Sequence, residues 1–455
     1  MLNAEKLKQA PNTLTCEVFE ANYKEGDCSY NGVYIASNGK VYFTINSHVL
    51  TYGVRIYETD PATGETKLFW DGANDLPDLQ EGHVPQGKIH CPLAEWNGSI
   101  ICATHTGWYV NDHTIHGSNF VLKPYKGGYV LTIDMKTGKS RVISKPFQNY
   151  PMTFSFKGGL LPMLGEAVIT ALFDKARGLF YGISFPKARF TKVDIVTGET
   201  TIYPSRQACG ETVPRYLDTD EKVPNPNYEW NLRTLALDDK GNIYGCNGKG
   251  EIWQYNPDTD SIKTMKSRIE DAIGDDDYKP LFYQNQWRTI LWDDVDKVFY
   301  GIQWGHSWLF KFDPVADKIT PIRKWQPNVE MTTHNKQQMG FLGLTMGPNH
   351  TLYGFRHVPA PINSDDLTLH LLTYNLDTNT IIDHGKIKTL DGYAVFYAEA
   401  CAVAANGDAY TVAWVEAPAE QRTWSEERRK KGVFSDVLQP YVMKLIKIPA
   451  SNIHF

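Results

Sequence analysis

His90 and His105 stand fifteen positions apart, with the pair Asn97-Gly98 midway between them. Asn-Gly is a strong signal for a two-residue hairpin turn, and such a turn fixes the register of the strands that flank it. Position i then faces position 195 minus i, which sets His90 opposite His105, and side chains so paired lie about 4.5–5.5 Å apart. Imidazole changes charge near neutral pH, so a facing pair is a place where a proton can be taken up and passed on. Superposing the other hairpins of the chain on this turn puts Asn31, Arg233, Arg288 and Glu399 at or beside the position of His90, and His357 at that of His105. Longer connections at the same end carry His113, His116, Tyr150 and His334. Two guanidinium groups, one carboxylate and several imidazoles thus converge on one opening.

That set is unsuited to some reactions and suited to another. A glycosidase normally needs two carboxyl groups flanking the scissile bond, and the aligned positions supply only Glu399. Phosphate-loop, nucleophile-elbow and zinc-protease signatures are absent, and Asp275-Asp276-Asp277 reads as a solvated acidic loop rather than a calcium loop. β-Elimination from a uronic acid fits the residue types. Arg neutralises the carboxylate next to C5, a neutral His or a deprotonated Tyr removes the C5 proton, and a second donor protonates the departing oxygen. His105 or His90 is then the base and Tyr150 the donor, Arg233 and Arg288 hold the carboxylate, and His334, His357 and Glu399 meet sugar hydroxyls. Trp108, Tyr109, Trp287 and Trp304 are candidate sugar-stacking platforms, with packing between sheets as their other role. The reading without chemistry is an internal salt-bridge ring, Arg233 or Arg288 with Glu399, that only ties elements together.

What must position these residues is a repeat of about sixty residues. A turn signature recurs at 57–64, 133–138, 193–198, 255–260, 312–317 and 374–379, as in Ile133-Asp134-Met135-Lys136-Thr137-Gly138. Upstream lies a second one, a turn followed by an apolar-aromatic strand. It appears in seven copies, among them Asn38-Gly39-Lys40-Val41-Tyr42, Lys240-Gly241-Asn242-Ile243-Tyr244 and Asn406-Gly407-Asp408-Ala409-Tyr410. Two hairpins per repeat give four antiparallel strands, the unit of a β-propeller blade. The expectation is therefore all-β: one seven-bladed propeller domain over 1–455, with blades near 28–75, 84–148, 160–206, 228–270, 283–326, 338–390 and 394–449. The last blade lacks one strand, and Thr13 to Phe19 is expected to supply it and close the ring.

Composition narrows the partners. Lys plus Arg is 46 against 52 for Asp plus Glu, a net charge of -6, so no positive field exists to hold a nucleic acid. No apolar run approaches membrane-spanning length, and no membrane partner is expected. Aromatic residues at 13% favour strands and sugar-stacking surfaces. The seven cysteines are scattered without a Cys-x-x-Cys pair, which indicates neither a zinc site nor a dense disulfide framework. The first residues lack a secretory pattern, which fits a cytosolic protein or a mature secreted form, and the sequons at Asn97 and Asn349 permit secretion.

The strand pair carrying Gly87-Lys88-Ile89-His90-Cys91-Pro92 and Ala103-Thr104-His105-Thr106-Gly107, in the second of seven repeats, resembles the His-bearing blade of propeller polysaccharide lyases. In size and layout the chain is most similar to the L-rhamnose-α-1,4-D-glucuronate lyases that trim gum arabic and arabinogalactan proteins. The resemblance implies a secreted, monomeric carbon-oxygen lyase that takes an acidic polysaccharide or oligosaccharide and needs no cofactor. Ulvan-degrading relatives space their histidines a few residues further apart. Propeller oligogalacturonate lyases hold a metal with His and Gln, which His334, Gln337, Gln338 and His357 imitate, so a divalent cation stays open. A non-catalytic propeller that binds glycan or protein, and a metal-dependent hydrolase, are the alternatives.

Overall fold

β-Branched and aromatic residues crowd the segments after each turn signature, and such side chains suit a pleated, half-buried surface. A computed structural model describes residues 8–9, 13–107, 123–156, 159–203, 232–247, 250–273, 286–304, 307–325, 343–358, 368–430, 433 and 439–453. Five four-stranded antiparallel sheets follow one another along the chain. The first comprises Val33–Ile35, Val41–Ile45, Arg55–Thr59 and Thr66–Asp71, and the second Ala94–Trp96, Ser99–Ala103, Val130–Asp134 and Ser140–Ser144. The third spans Ala167–Asp174 to Thr200–Tyr203, the fourth Ala236–Leu237 to Ser261–Arg268, and the fifth Trp287–Asp293 to Lys318–Lys324. Each is a meander in which every strand pairs with the next.

The remaining long strands join one ten-stranded sheet. Thr345–Gly347 through Thr380–Thr389 form one meander, and Val395–Ala398, Ala409–Glu416 and Tyr441–Ile448 belong to another. Thr13–Phe19 links them. Its first half pairs in parallel with Lys386–Thr389, and its second half pairs antiparallel with Leu445–Lys447. Leu14, Cys16 and Phe19 on this strand are buried.

The turns of the seven-copy signature carry left-handed residues. Gly98 has φ 73°, and where glycine is missing Lys297 (57°) and His350 (51°) take the same conformation. The aromatic residue that closes the signature is core: Tyr42, Tyr181, Tyr244, Tyr300, Tyr353 and Tyr410 are all buried. A buried phenol needs a hydrogen-bond acceptor, and nearby acids supply several. Tyr42 donates to Glu58 Oε2 (2.7 Å), Tyr244 to Asp238 Oδ2 (3.0 Å) and Tyr300 to Asp296 Oδ2 (2.6 Å). The recurring motif is thus a packing device that leaves the opposite ends of the strands free to carry the site.

Candidate functional site

The Asn97-Gly98 hairpin keeps its expected register only near the turn, where Ala94 faces Ile101 and Trp96 faces Ser99. Beyond it the ladder breaks at Cys91 and Pro92 and resumes with His105 opposite Lys88. His90 is therefore not directly opposite His105, which corrects the expectation. The cause is local. Pro92 has no N–H for the ladder, and the Cys91 thiol substitutes for backbone, accepting from Ala103 N (3.2 Å) and donating to Ala103 O (3.6 Å). The shift is two positions, which preserves the face. The imidazoles still meet, their centroids 4.7 Å apart and their planes 60° apart.

Both rings are buried, His105 completely. Nδ1 of His105 lies 2.9 Å from the Thr106 carbonyl, so Nδ1 carries the proton and Nε2 the lone pair. Burial holds His105 well below the ordinary imidazole value, and the charges of Lys88 and Arg233 push it further down. Burial likewise lowers His90, with His105, Lys88 and Arg233 adding to the effect. Both are uncharged at neutral pH.

A second constellation comes from the first sheet and was not singled out from sequence. The loop between Ile45 and Arg55 carries His48 against the short strand pair Gln86–Lys88 and His105–Thr106. It can do so because Gly87 and Gly107 lack a Cβ: one at Gly87 would lie 2.6 Å from Gly107 N, and one at Gly107 3.0 Å from Val49 O. Ser47 N donates to Gly87 O (3.0 Å), and Ile89 N to Asn46 Oδ1 (2.9 Å). His48 Nδ1 is 2.6 Å from Asp27 Oδ1, and His48 N donates to Asp27 Oδ2 (2.9 Å). Burial opposes ionisation of Asp27, but the His48 contacts outweigh it and hold the carboxyl below its usual range. With Nδ1–H on the carboxylate, Nε2 of His48 is the acceptor, and it lies 3.3 Å from the Tyr30 hydroxyl. The Tyr30 ring stacks on His90 at 4.3 Å and 13°. Burial first, then Cys28 and the Glu399 carboxylate, keep this phenol well above its ordinary value. The segment is anchored from behind, where Trp414 Nε1 donates to Asp27 O (2.9 Å).

Cations complete the site. Lys88 is wholly buried, and desolvation brings its amine down to about 8. Arg233 acts electrostatically on Lys88, His90 and His105. Arg288 sits over the Trp304 ring at 4.3 Å, with Arg233 at 6.0 Å from the same ring, so one expected stacking platform carries a guanidinium. Nη2 of Arg288 donates to both oxygens of Glu399, at 3.2 and 3.3 Å, and the Tyr397 hydroxyl donates to Glu399 as well. The internal salt bridge anticipated between these types thus exists at Arg288. Its Nε and Nη1 are buried without a hydrogen-bond partner among the described residues.

The other expected residues separate. Tyr150 lies under the Arg189 guanidinium at 4.1 Å, which in turn binds Glu166 at 2.9 Å; among the described residues no ring contact joins it to His90 or His105. Trp287 is core, its Nε1 donating to Thr234 O (2.8 Å). The backbone of His357 belongs to the strand Thr351–Val358, while its side chain, and all of Trp108, Tyr109, His113, His116, His334, Gln337 and Gln338, lie outside the described residues. Aligning the first hairpin on the second would have placed His48 two residues beyond the counterpart of His105. Asp27 and Tyr30 precede the first hairpin, at positions matching Gln86 and Ile89, and gave no such signal.

By residue type Asp27, Cys28 and His48, whose ligand atoms lie within 4.8 Å of one another, resemble a metal-binding set. In this arrangement the donors face one another. Asp27 and His48 share a hydrogen bond, burial keeps the Cys28 thiol protonated, and the Lys88 amine adds positive charge beside them. The cluster is bridged by a proton.

No protein-family model and no curated protein matches this sequence. Among solved structures, the WD40 repeats of RRP9 superpose with a TM-score of 0.51 at 8% identity, covering 97% of this chain and 99% of that one. U3-55K gives 0.49 at 8% identity, covering 95% and 98%. An extracellular domain assigned to the one component system BT4673 of B. thetaiotaomicron gives 0.47 at 10% identity over 95% of this chain. The match spans 40% of that chain's length. Likeness at this identity concerns the fold alone, and that to the RRP9 repeats agrees with the succession of four-stranded sheets: the chain is a β-propeller.

Proposed function

We propose that this propeller has seven blades, with Thr13–Phe19 closing the ring, and that it is a polysaccharide lyase that cleaves the glycosidic bond to a glucuronic acid by β-elimination. Its substrate is an arabinogalactan-type glycan from which terminal L-rhamnose is released, and it acts outside the cell as a monomer. The observation that carries this reading is that three buried imidazoles, His48, His90 and His105, are held uncharged beside Lys88 and Arg233. Elimination can use that combination. A cation neutralises the uronate and makes C5–H acidic, and an uncharged nitrogen accepts the proton, directly or through a neighbouring phenol. Arg233 is the cation suited to the carboxylate, because Arg288 is engaged by Glu399 and Lys88, wholly buried, adds its charge from behind.

The test is incubation with gum arabic, ulvan and polygalacturonate, following absorbance near the ultraviolet edge and free rhamnose. Absorbance with rhamnose from gum arabic supports the assignment; no product from any acidic glycan overturns it. One arrangement favours a second reading, a propeller that binds glycan without cleaving it: His105 is fully buried and Arg288 Nη2 is engaged internally by Glu399. Saturable binding of gum arabic without unsaturated product would establish that reading. No helix among the described residues is long and apolar enough to cross a membrane.

A further inference from the structure

His105 is buried to its last atom and His90 nearly so, so a substrate proton reaches their cluster through a neighbour that solvent can touch. Tyr30 is that neighbour. It is partly exposed, its ring covers His90, and its hydroxyl sits 3.3 Å from His48 Nε2, whose other nitrogen is committed to Asp27 at 2.6 Å. A hydroxyl, an imidazole and a buried carboxylate in series is the arrangement that lets a weakly acidic O–H act as a proton acceptor. The imidazole takes the hydroxyl proton while the carboxylate stabilises the imidazolium.

We propose that Tyr30 is the catalytic group that exchanges protons with the substrate, and that His48 and Asp27 are the positioning residues that take and return its proton. The substrate assignment rests on the lyase reading; the relay itself does not. As the Tyr30 oxygen removes the C5 proton, its own proton passes to His48 Nε2. The C5–H electron pair becomes the C4=C5 double bond, and the C4–O bond breaks with its pair on the leaving oxygen. Tyr30 hands the captured proton to that oxygen and recovers its own from the His48 imidazolium, which Asp27 has held. Protons and electrons balance without an outside reactant, and one phenol serves both steps on the same face of the sugar.

Tyr30→Phe keeps the ring stacked on His90 and removes only the hydroxyl. It is expected to lower kcat on gum arabic by about a hundredfold or more, the range of general acid–base catalysis, with KM changed by less than about threefold. Asp27→Asn is expected to lower kcat by a similar factor and to shift the acidic limb of its pH profile. Retention of more than a tenth of kcat in Tyr30→Phe, with loss in His105→Ala, would sink the relay and leave the lyase reading standing. The relay is also read on free protein. A low-field proton resonance from the His48 Nδ1–H on Asp27 is expected in the wild type, displaced in Tyr30→Phe and lost in Asp27→Asn. Its absence from the wild type would overturn the inference even if no glycan is cleaved.

Discussion

Replacing Lys88 by methionine should make the protein more stable and less able to hold an acidic sugar. The amine is fully buried, and desolvation lowers it from 10.5 to about 8. That displacement is equivalent to roughly 3 kcal/mol by which the charged form opposes folding at neutral pH. The sign follows from proton uptake. Below about pH 8 folded and unfolded chains both hold the proton, and the penalty is present in full. Between about 8 and 10.5 the folded chain has released it while the unfolded chain has not, so stability rises with pH. Above that range both are neutral and the penalty is gone. Methionine preserves most of the volume and never carries the charge. At pH 7 Lys88→Met should raise Tm by about 3 °C, taking roughly 2.1 cal/mol/K of unfolding entropy per residue. This advantage should shrink steadily from pH 8 to 10.5. Melting curves of both proteins across that range, together with titration of glucuronate, read both effects. A variant that is less stable at pH 7, or whose difference from wild type ignores pH, would refute the account of Lys88 as a buried cation kept for its charge.

Other outcomes are open to direct measurement. Arg233→Ala should raise KM for an acidic glycan by about tenfold or more while leaving Tm within a degree or two, as checked by initial rates and melting. Deletion of residues 1–20 removes the buried Leu14, Cys16 and Phe19, on the order of 5 kcal/mol of apolar burial, and should lower Tm sharply; an unchanged Tm would reject a structural role for that strand. His350 loses some proton affinity to burial but gains more from Asp377 and Asp293, so its value is raised. Its contribution is complete below the ordinary imidazole value of about 6.5 and disappears as pH climbs through the raised one. The Tm gap between wild type and His350→Gln should therefore be widest at acid pH and close as the solution becomes alkaline.

The architecture was legible because its turns need particular residues. Gly39 and Gly178 sit at left-handed positions, and the aromatic that follows each turn is core, so spacing alone reported the repeat. The His90–His105 encounter was legible for the same reason, from Asn97-Gly98. Its exact register was not, because a thiol standing in for backbone at Cys91 has no signature in a pattern of apolar and polar residues. Lys88 reads in sequence as an ordinary surface lysine two residues before His90. In the fold it is wholly buried, where Cys28, Asp27 and Arg233 act on it electrostatically. Asp27 and Tyr30 escaped because the alignment that sets Asn31 at the position of His90 puts them at those of Gln86 and Ile89, which no imidazole or guanidinium marks. Arg288 and Glu399, 111 positions apart, were brought to one opening by the alignment, yet their choice of each other over a ligand is a matter of three-dimensional distance.

The strand Thr13–Phe19 has a further consequence, for the order of events during synthesis. Its partners are Lys386–Thr389 and Leu445–Lys447, and Asn452 Nδ2 donates to Thr15 O across 437 positions. This segment leaves the ribosome long before its neighbours, and until residue 447 has emerged its backbone groups and its apolar side chains lack part of their native cover. Contacts of such sequence separation form slowly, and unpaired strands of this composition invite association with other chains in the meantime. A nascent chain halted before residue 441 would retain the five early sheets with this strand incompletely paired, and would be the form of this protein most dependent on chaperones.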